Sequence, residues 1–240
     1  MKRIILGLLM IVSVASLKAQ QINDENVEKR EVASFHGIKV QQGIKVYLSQ
    51  GSESSVAVSA DEIKFRDQIR TVVENGILRI YFDNGDDWKI WKQFGNKHLR
   101  AYVSVSKLDL LKVSSGANVE FTEEVNAGSL EMEITSGATV NGKIKAESIS
   151  VDMNSGATAT LTGTVSGEIK VESSSGAIFR GYDLKAVNGD FKVSSGAGVQ
   201  TYVSKELSAS ASSGGYIHIK GEGLIRDIKT SSGGAVTRKS

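Results

Sequence analysis

A Ser-Gly pair recurs seven times in the second half of this 240-residue chain: Ser115-Gly116, Ser136-Gly137, Ser155-Gly156, Ser175-Gly176, Ser195-Gly196, Ser213-Gly214 and Ser232-Gly233. Ala or Gly follows each pair, and successive glycines lie 18 to 21 residues apart. A fixed period of this length is the mark of a repeat architecture. The residues before each pair alternate. Leu130, Met132 and Ile134 are apolar with Glu131 and Glu133 between them, and Ile149, Val151 and Met153 alternate with Ser150 and Asp152. Period two with one apolar face is a half-buried strand. Alternation resumes after the pair, as in Val119–Phe121 and Ile217–Ile219. Each unit therefore reads as a strand, a tight corner and a second strand.

A unit of about 20 residues cannot bury its apolar face alone, so neighbours must stack. Stacked strands of one direction give parallel ladders, and such crossovers are right-handed. The expected fold is all-β, a right-handed parallel β-solenoid of about seven coils and about 35 Å in length. Glycine supplies the positive φ or the close approach that a corner needs. The serine hydroxyls are expected to stack and to satisfy turn amides. No His or Lys recurs beside them as a base, so the serines read as structural rather than nucleophilic. The chain has no Pro and no Cys. The first suits a backbone whose N–H groups are used in ladders. The second excludes disulfides, zinc-thiolate sites, iron–sulfur clusters, a thiol nucleophile and a lipidated N-terminal cysteine.

Residues 1–19 read as a secretory signal: Lys2 and Arg3, then apolar Ile4 to Val14, then Leu17-Lys18-Ala19 as a cleavage site. The apolar run is too short to span a bilayer, and no other run approaches the length needed. The segment holds three of the 29 basic residues and none of the 27 acidic ones. Without it the net charge is −1, which implies neither nucleic acid nor an anionic membrane as partner. Export places the protein in the periplasm or on the outer cell surface.

Residues 20–30 read as a mobile leader, 31–110 as a β-rich part with a short helix, and 111–240 as the repeats. Strands are expected at Gly37–Val40, Gly43–Leu48 and Ser55–Ala60. Ile63, Ile69 and Val73 share one face of a short helix within 61–74, with Asp61 as its cap. Residues 77–82 and 99–105 read as the two arms of a hairpin. This half is expected to continue the solenoid or to cap one end.

Phe35-His36-Gly37-Ile38, Gly43-Ile44-Lys45-Val46-Tyr47-Leu48-Ser49-Gln50-Gly51, Val56-Ala57-Val58-Ser59-Ala60-Asp61-Glu62 and Asn75-Gly76-Ile77-Leu78-Arg79-Ile80 precede the Ser-Gly-Ala corners. Together they resemble the "putative auto-transporter adhesin, head GIN domain" family of secreted proteins from Bacteroidetes-type bacteria, over roughly residues 30 to 238. The resemblance implies a β-helix similar in shape to pectin-lyase-like folds and a role in cell adhesion. It carries over no catalytic residues. The chain ends Val236-Thr237-Arg238-Lys239-Ser240 without a translocating barrel, so self-export is not expected.

Three sets of residues stand out as candidates. The segment 83–97 holds Trp88, Trp91 and Phe94, which read as a sugar or protein contact surface or as a cover for the solenoid's apolar end. Asp83, Asp86 and Asp87 beside them lack the spacing of an EF-hand and read as turn residues. Four residues before each corner glycine stand Lys112, Glu133, Asp152, Glu172, Lys192, Ser210 and Lys229. Stacking sets Glu133, Asp152 and Glu172 side by side. They read as a solvated row compensated by lysines, including Lys170, with a weak calcium site as the alternative. His36, His98 and His218 have no ligand spacing. No cofactor motif is present. The sequence thus points to an exported, non-enzymatic adhesin-like module that binds a polysaccharide, a protein or an identical subunit. The alternatives are a polysaccharide-active enzyme of pectin-lyase-like shape and a passive self-assembling envelope component. The enzyme reading is weakened because no arginine lies between Arg100 and Arg180 to join the carboxylates.

Overall fold

A computed structural model describes Asp24 and residues 26–83 and 97–239. In chain order the elements are β1 (Glu28–Arg30), β2 (Gly37–Val40), β3 (Lys45–Gln50), β4 (Ser55–Ser59), α1 (Ile63–Arg66), β5 (Ile69–Glu74) and β6 (Ile77–Phe82). Then follow β7 (Arg100–Val105), β8 (Leu110–Val113), β9 (Asn118–Phe121), β10 (Val125–Ile134), β11 (Thr139–Met153) and β12 (Thr158–Ser173). The last are β13 (Ile178–Val193), β14 (Gly198–Ala211), β15 (Tyr216–Lys220), β16 (Leu224–Thr230) and β17 (Ala235–Arg238). From β8 onward each coil pairs in parallel with the next, so the chain forms a β-solenoid of about 6 turns.

The corners explain the repeat. At all seven Ser-Gly pairs both residues have positive φ, 54° and 71° at Ser115 and Gly116. The turn closes on itself through the Ala117 N–H, which donates to the Ser114 carbonyl at 3.2 Å. It is tied to the next coil by the Gly116 N–H, which donates to the Ser136 carbonyl at 3.0 Å. The same bond recurs at every step up to Gly214 and Ser232. The corner amides are thus held by main-chain carbonyls, not by the serine hydroxyls expected to do so, and the serines are exposed. The next residue turns into the core. Ala117, Ala138, Ala157, Ala177 and Ala197 are fully buried. The ladder begins one corner earlier than the Ser-Gly pattern, at Gln42-Gly43, with φ of 61° and 69° and a bond from the Gly43 N–H to the Ser115 carbonyl.

Apolar side chains from both arms fill the coil interior, with Phe179 and Phe191 the largest fully buried. The ladder is not perfectly regular. Register shifts occur in the β12–β13 pairing between Thr160 and Gly163. There Gly163 has φ +113°, and a Cβ on it would lie 2.0 Å from the Ile144 carbonyl oxygen.

The first part continues the solenoid and also caps it. Strand β2 lies between β6 and β8, and β3 between β7 and β9, all parallel. The β2–β3 rung is therefore inserted between a later rung and the repeats. Beyond it the strands reverse: β4 is antiparallel to β7, β1 to β4, and β5 to β6. Three expectations for this part need correction. The helix within 61–74 is a single turn, α1, after Glu62, whose side chain makes no capping bond. Residues 69–74 are strand β5, because β-branched Thr71, Val72 and Val73 favour an extended chain. The expected 77–82/99–105 hairpin does not form. β6 instead pairs with β5 across a tight Asn75-Gly76 turn at φ of 52° and 75°, the sequence that two-residue hairpin loops prefer. Asp24, within the expected leader, is tied to the cap. Burial alone would raise the Asp24 pKa, but hydrogen bonds from Ser59 (2.5 Å) and Tyr102 (2.9 Å) and the Arg100 charge (3.1 Å) outweigh it and hold the carboxyl low.

Candidate functional site

The outer face of the first arm carries the charged row. Backbone register aligns Lys39, Lys112, Glu133, Asp152, Glu172, Lys192, Ser210 and Lys229 on successive rungs. Lys112 reaches Glu133 at 2.7 Å. Glu172 accepts from Lys170 at 3.0 Å and from Lys192 at 3.3 Å. Those bonds, Lys170 first, pull the Glu172 pKa down against a partial burial that raises it. Asp152 stands between two carboxylates with no such bond. Partial desolvation, then the charges of Glu172 and Glu133, push its pKa up. Among the described residues no group of three acidic or histidine side chains converges to hold a metal ion. The arrangement is a lysine-compensated charge ladder, with Asp152 as its one strained rung.

Trp88, Trp91 and Phe94 lie outside the described residues, as do Asp86 and Asp87. The flanks of their segment are anchored. The Asp83 N–H donates to the Gln68 carbonyl at 2.8 Å, and Arg70 pairs with the Asp83 carboxylate at 3.0 Å. Lys97 sits 4.8 Å from the Phe65 ring and 4.7 Å from the Phe82 ring. The histidines stay apart. His36 bonds Asp109 at 2.6 Å and His98 bonds Asp61 at 2.5 Å. Both pairs lie in the first part of the chain. His218 lies in the last coils.

The outer face of the second arm has a pattern that the sequence reading missed. Its middle is polar. Asn118, Thr139 and Thr158 form one row, and Glu120, Asn141 and Thr160 the next. Its ends are aromatic. At one end Tyr47 stacks on Tyr102 at 5.3 Å and 11°, and Lys45 covers Tyr47 at 4.5 Å. At the other, the Tyr216 and His218 rings lie 4.9 Å apart, with Lys220 on the same strand, Tyr202 on β14 and Tyr182 on β13. The alternation of Tyr216, His218 and Lys220 on one strand was the available signal.

The "Putative auto-transporter adhesin, head GIN domain" family model matches residues 34–223. A putative adhesin from Bacteroides fragilis has the same fold at a TM-score of 0.79 and 14% identity, over 89% of this chain and 96% of its own. A putative adhesin from Parabacteroides merdae superposes at 0.69 with 16% identity, over 89% and 95%. A protein from Parabacteroides distasonis described as a putative lipid binding protein superposes at 0.66 with 17% identity, over 90% and 98%. No curated protein matches the chain. The family model covers most of the chain, and the solved structures share its fold over nearly their whole length: the chain belongs to the "Putative auto-transporter adhesin, head GIN domain" family.

Proposed function

We propose that this protein is exported to the cell envelope and acts there as a non-enzymatic, adhesin-like binding module. One observation carries the reading: the corner ladder makes a rigid stack whose outer faces are long, regular rows of separated side chains. Catalysis calls for a few groups converging on one reacting atom. Recognition of an extended partner calls for repeated contacts on a rigid surface, which lowers the ordering cost of binding. The lysine-compensated carboxylates of the first arm, the family and the signal-like residues 1–19 support the same reading. The test is a glycan and protein array probed with the mature protein, beside a Trp88→Ala/Trp91→Ala variant. Saturable binding is expected. Its loss in the variant places the contact on the 83–97 segment, and its survival places it on the solenoid faces. A folded sample that binds nothing overturns the reading.

Self-assembly is a second reading with an observation of its own. The last coil is open, with β16 and β17 each paired on one side and Leu224 57% and Ile228 46% exposed. Open ends invite edge pairing. Arg238 opposes it. It aligns with buried Ile219, at a core-facing register, and its guanidinium donates to the carbonyls of Gly221 and Gly223. A charged group at an inward position blunts an edge. Light scattering is expected to give a monomer, and a concentration-dependent oligomer would favour assembly.

A further inference from the structure

The aromatic end of the second-arm face has the features of a ligand platform. Register places Ile178, Gly198 and Tyr216 in one row, and Arg180, Gln200, His218 and Thr237 in the next. The Tyr216 ring lies across the strand at Gly198. A Cβ there would meet the ring Cζ at 2.2 Å and the hydroxyl at 2.4 Å. The glycine thus lets the ring lie down against the sheet. His218 tilts against it at 42°, and Lys220 lies 4.7 Å from the Tyr182 ring centroid. Tyr182, Tyr202, Tyr216 and His218 are all partly buried.

The charges here are unspent. Lys112, Lys170, Lys192 and Arg226 on the first arm each have a carboxylate partner. Among the described residues, Arg180, Lys220 and Lys239 have none. The Lys239 N–H donates to the Ile219 carbonyl at 2.8 Å, which sets Lys239 on the rung beside Lys220 at the edge of this patch. The other aromatic end differs. Tyr47 is covered by Tyr102 and Lys45, the Tyr102 hydroxyl is bound to Asp24, and Lys45 is paired with Glu120 at 2.9 Å.

We propose that the patch of Tyr216, His218, Arg180, Lys220 and Lys239 is a binding platform for an acidic glycan, a chain that bears uronate groups. One sugar ring stacks its C–H face on Tyr216, and carboxylates of successive sugars meet Arg180 on one side and Lys220 and Lys239 on the other. The inference rests on the binding-module reading and gives that module a face and a ligand class. A sugar presents a flat apolar face ringed by hydroxyls, which suits a ring lying against a polar sheet beside Gln200 and Thr237. The open face suits a polymer better than a small molecule, which would be enclosed. Three cations on a chain of net charge near zero suit a carboxylate on a sugar better than a nucleic acid backbone, whose affinity needs many neutralised phosphates.

The test is calorimetric titration of the mature protein with a galacturonate oligomer, its methyl ester and a single-stranded DNA oligomer of equal charge. The galacturonate is expected to bind saturably and the ester about tenfold more weakly. Tyr216→Ala is expected to weaken galacturonate binding roughly tenfold. Lys220→Gln/Lys239→Gln is expected to weaken it similarly and to flatten its salt dependence. The second variant leaves the ring and its glycine in place, so it reads the site even if Tyr216→Ala disturbs the coil. Unchanged affinity in the lysine variant, or DNA bound as tightly as galacturonate, overturns the proposal. So does a folded protein that binds no galacturonate. In that last case a different ligand on the arrays leaves the binding-module reading standing, and blank arrays remove both.

Discussion

The repeat coils and the first part of the chain are built from the same rungs, yet they obey different rules. In the coils every strand finds its partner one period away, and the corner ladder from Gly116 to Ser232 fixes the register at each step. In the first part the chain leaves β3 and reverses through β4. It returns through β5 and β6 to place β7 under β3, so β2 and β3 end up between strands that come later. One region propagates by nearest neighbours. The other depends on long-range pairing and is closed by antiparallel edges that stop the stack.

The largest expected contrast is in the core. Phe179 is fully buried mid-stack, and Phe65 lies on the single turn of α1 at 8% exposure. Phe179→Ala is expected to cost about 4 kcal/mol, or roughly 10 °C in melting temperature. Phe65→Ala is expected to cost about half of that. Equal losses in thermal unfolding would show the cap to be as integral as the coils.

Hydrogen exchange sharpens the contrast without a mutation. Amides of β11, β12 and β13 pair on both sides and are expected to exchange only on global unfolding. Strands β1 and β5 pair on one side and are expected to open locally, several orders of magnitude faster. Uniform protection would erase the distinction.

The corners give a smaller effect. Gly156→Ala keeps an open space around the new methyl group but forces alanine to φ near 71°. It should cost about 1 kcal/mol, close to 3 °C. Gln42 is the exception in the ladder, because its Oε1 accepts the Phe82 N–H at 2.9 Å. Gln42→Ser brings that corner to the repeat sequence and is still expected to destabilise by about 1 kcal/mol. A neutral result would mean the first corner is interchangeable with the rest.

The smallest effect concerns the charge row. Asp152 has a folded pKa above its ordinary 3.8, so the folded state holds the proton more tightly than the unfolded chain. Its ionisation therefore costs stability as pH rises through the folded value. Asp152→Asn is expected to raise the melting temperature by about 1 °C at pH 7, with the gain vanishing below pH 3.8. Glu172 has the opposite sign. Its stabilisation is present above its ordinary 4.5 and is lost as pH falls through the lowered folded value, so Glu172→Gln lowers the melting temperature at pH 7. A Tm that Asp152→Asn leaves unchanged or lowers would show that the lysines already neutralise the row.

The two regions differ in legibility for the same reason. The Ser-Gly corners, the alternation of Leu130, Met132 and Ile134, and the row from Lys112 to Lys229 could be read because each coil repeats its neighbour's geometry at a fixed separation. In the first part, Asn75-Gly76 carried a hairpin signal. It was masked by Ile63, Ile69 and Val73, whose spacing fits a helix face by accident of a short segment. The Tyr216 platform was hidden differently. Its residues lie on neighbouring rungs in space, but what makes them a site is a ring lying over Gly198 and cations left without carboxylate partners.

The sequence by itself determined the coil, because a 20-residue period with a corner glycine and an alternating apolar face admits one way to bury that face. It also determined which charges share a row, since parallel register repeats the period. The tertiary structure alone decided the insertion of β2 and β3 between later strands, the Gln42-Gly43 corner, and the contrast between a Tyr47 stacked on Tyr102 under Lys45 and a Tyr216 laid over Gly198. Those depend on which distant groups meet, and a local pattern holds no record of pairings made across the fold.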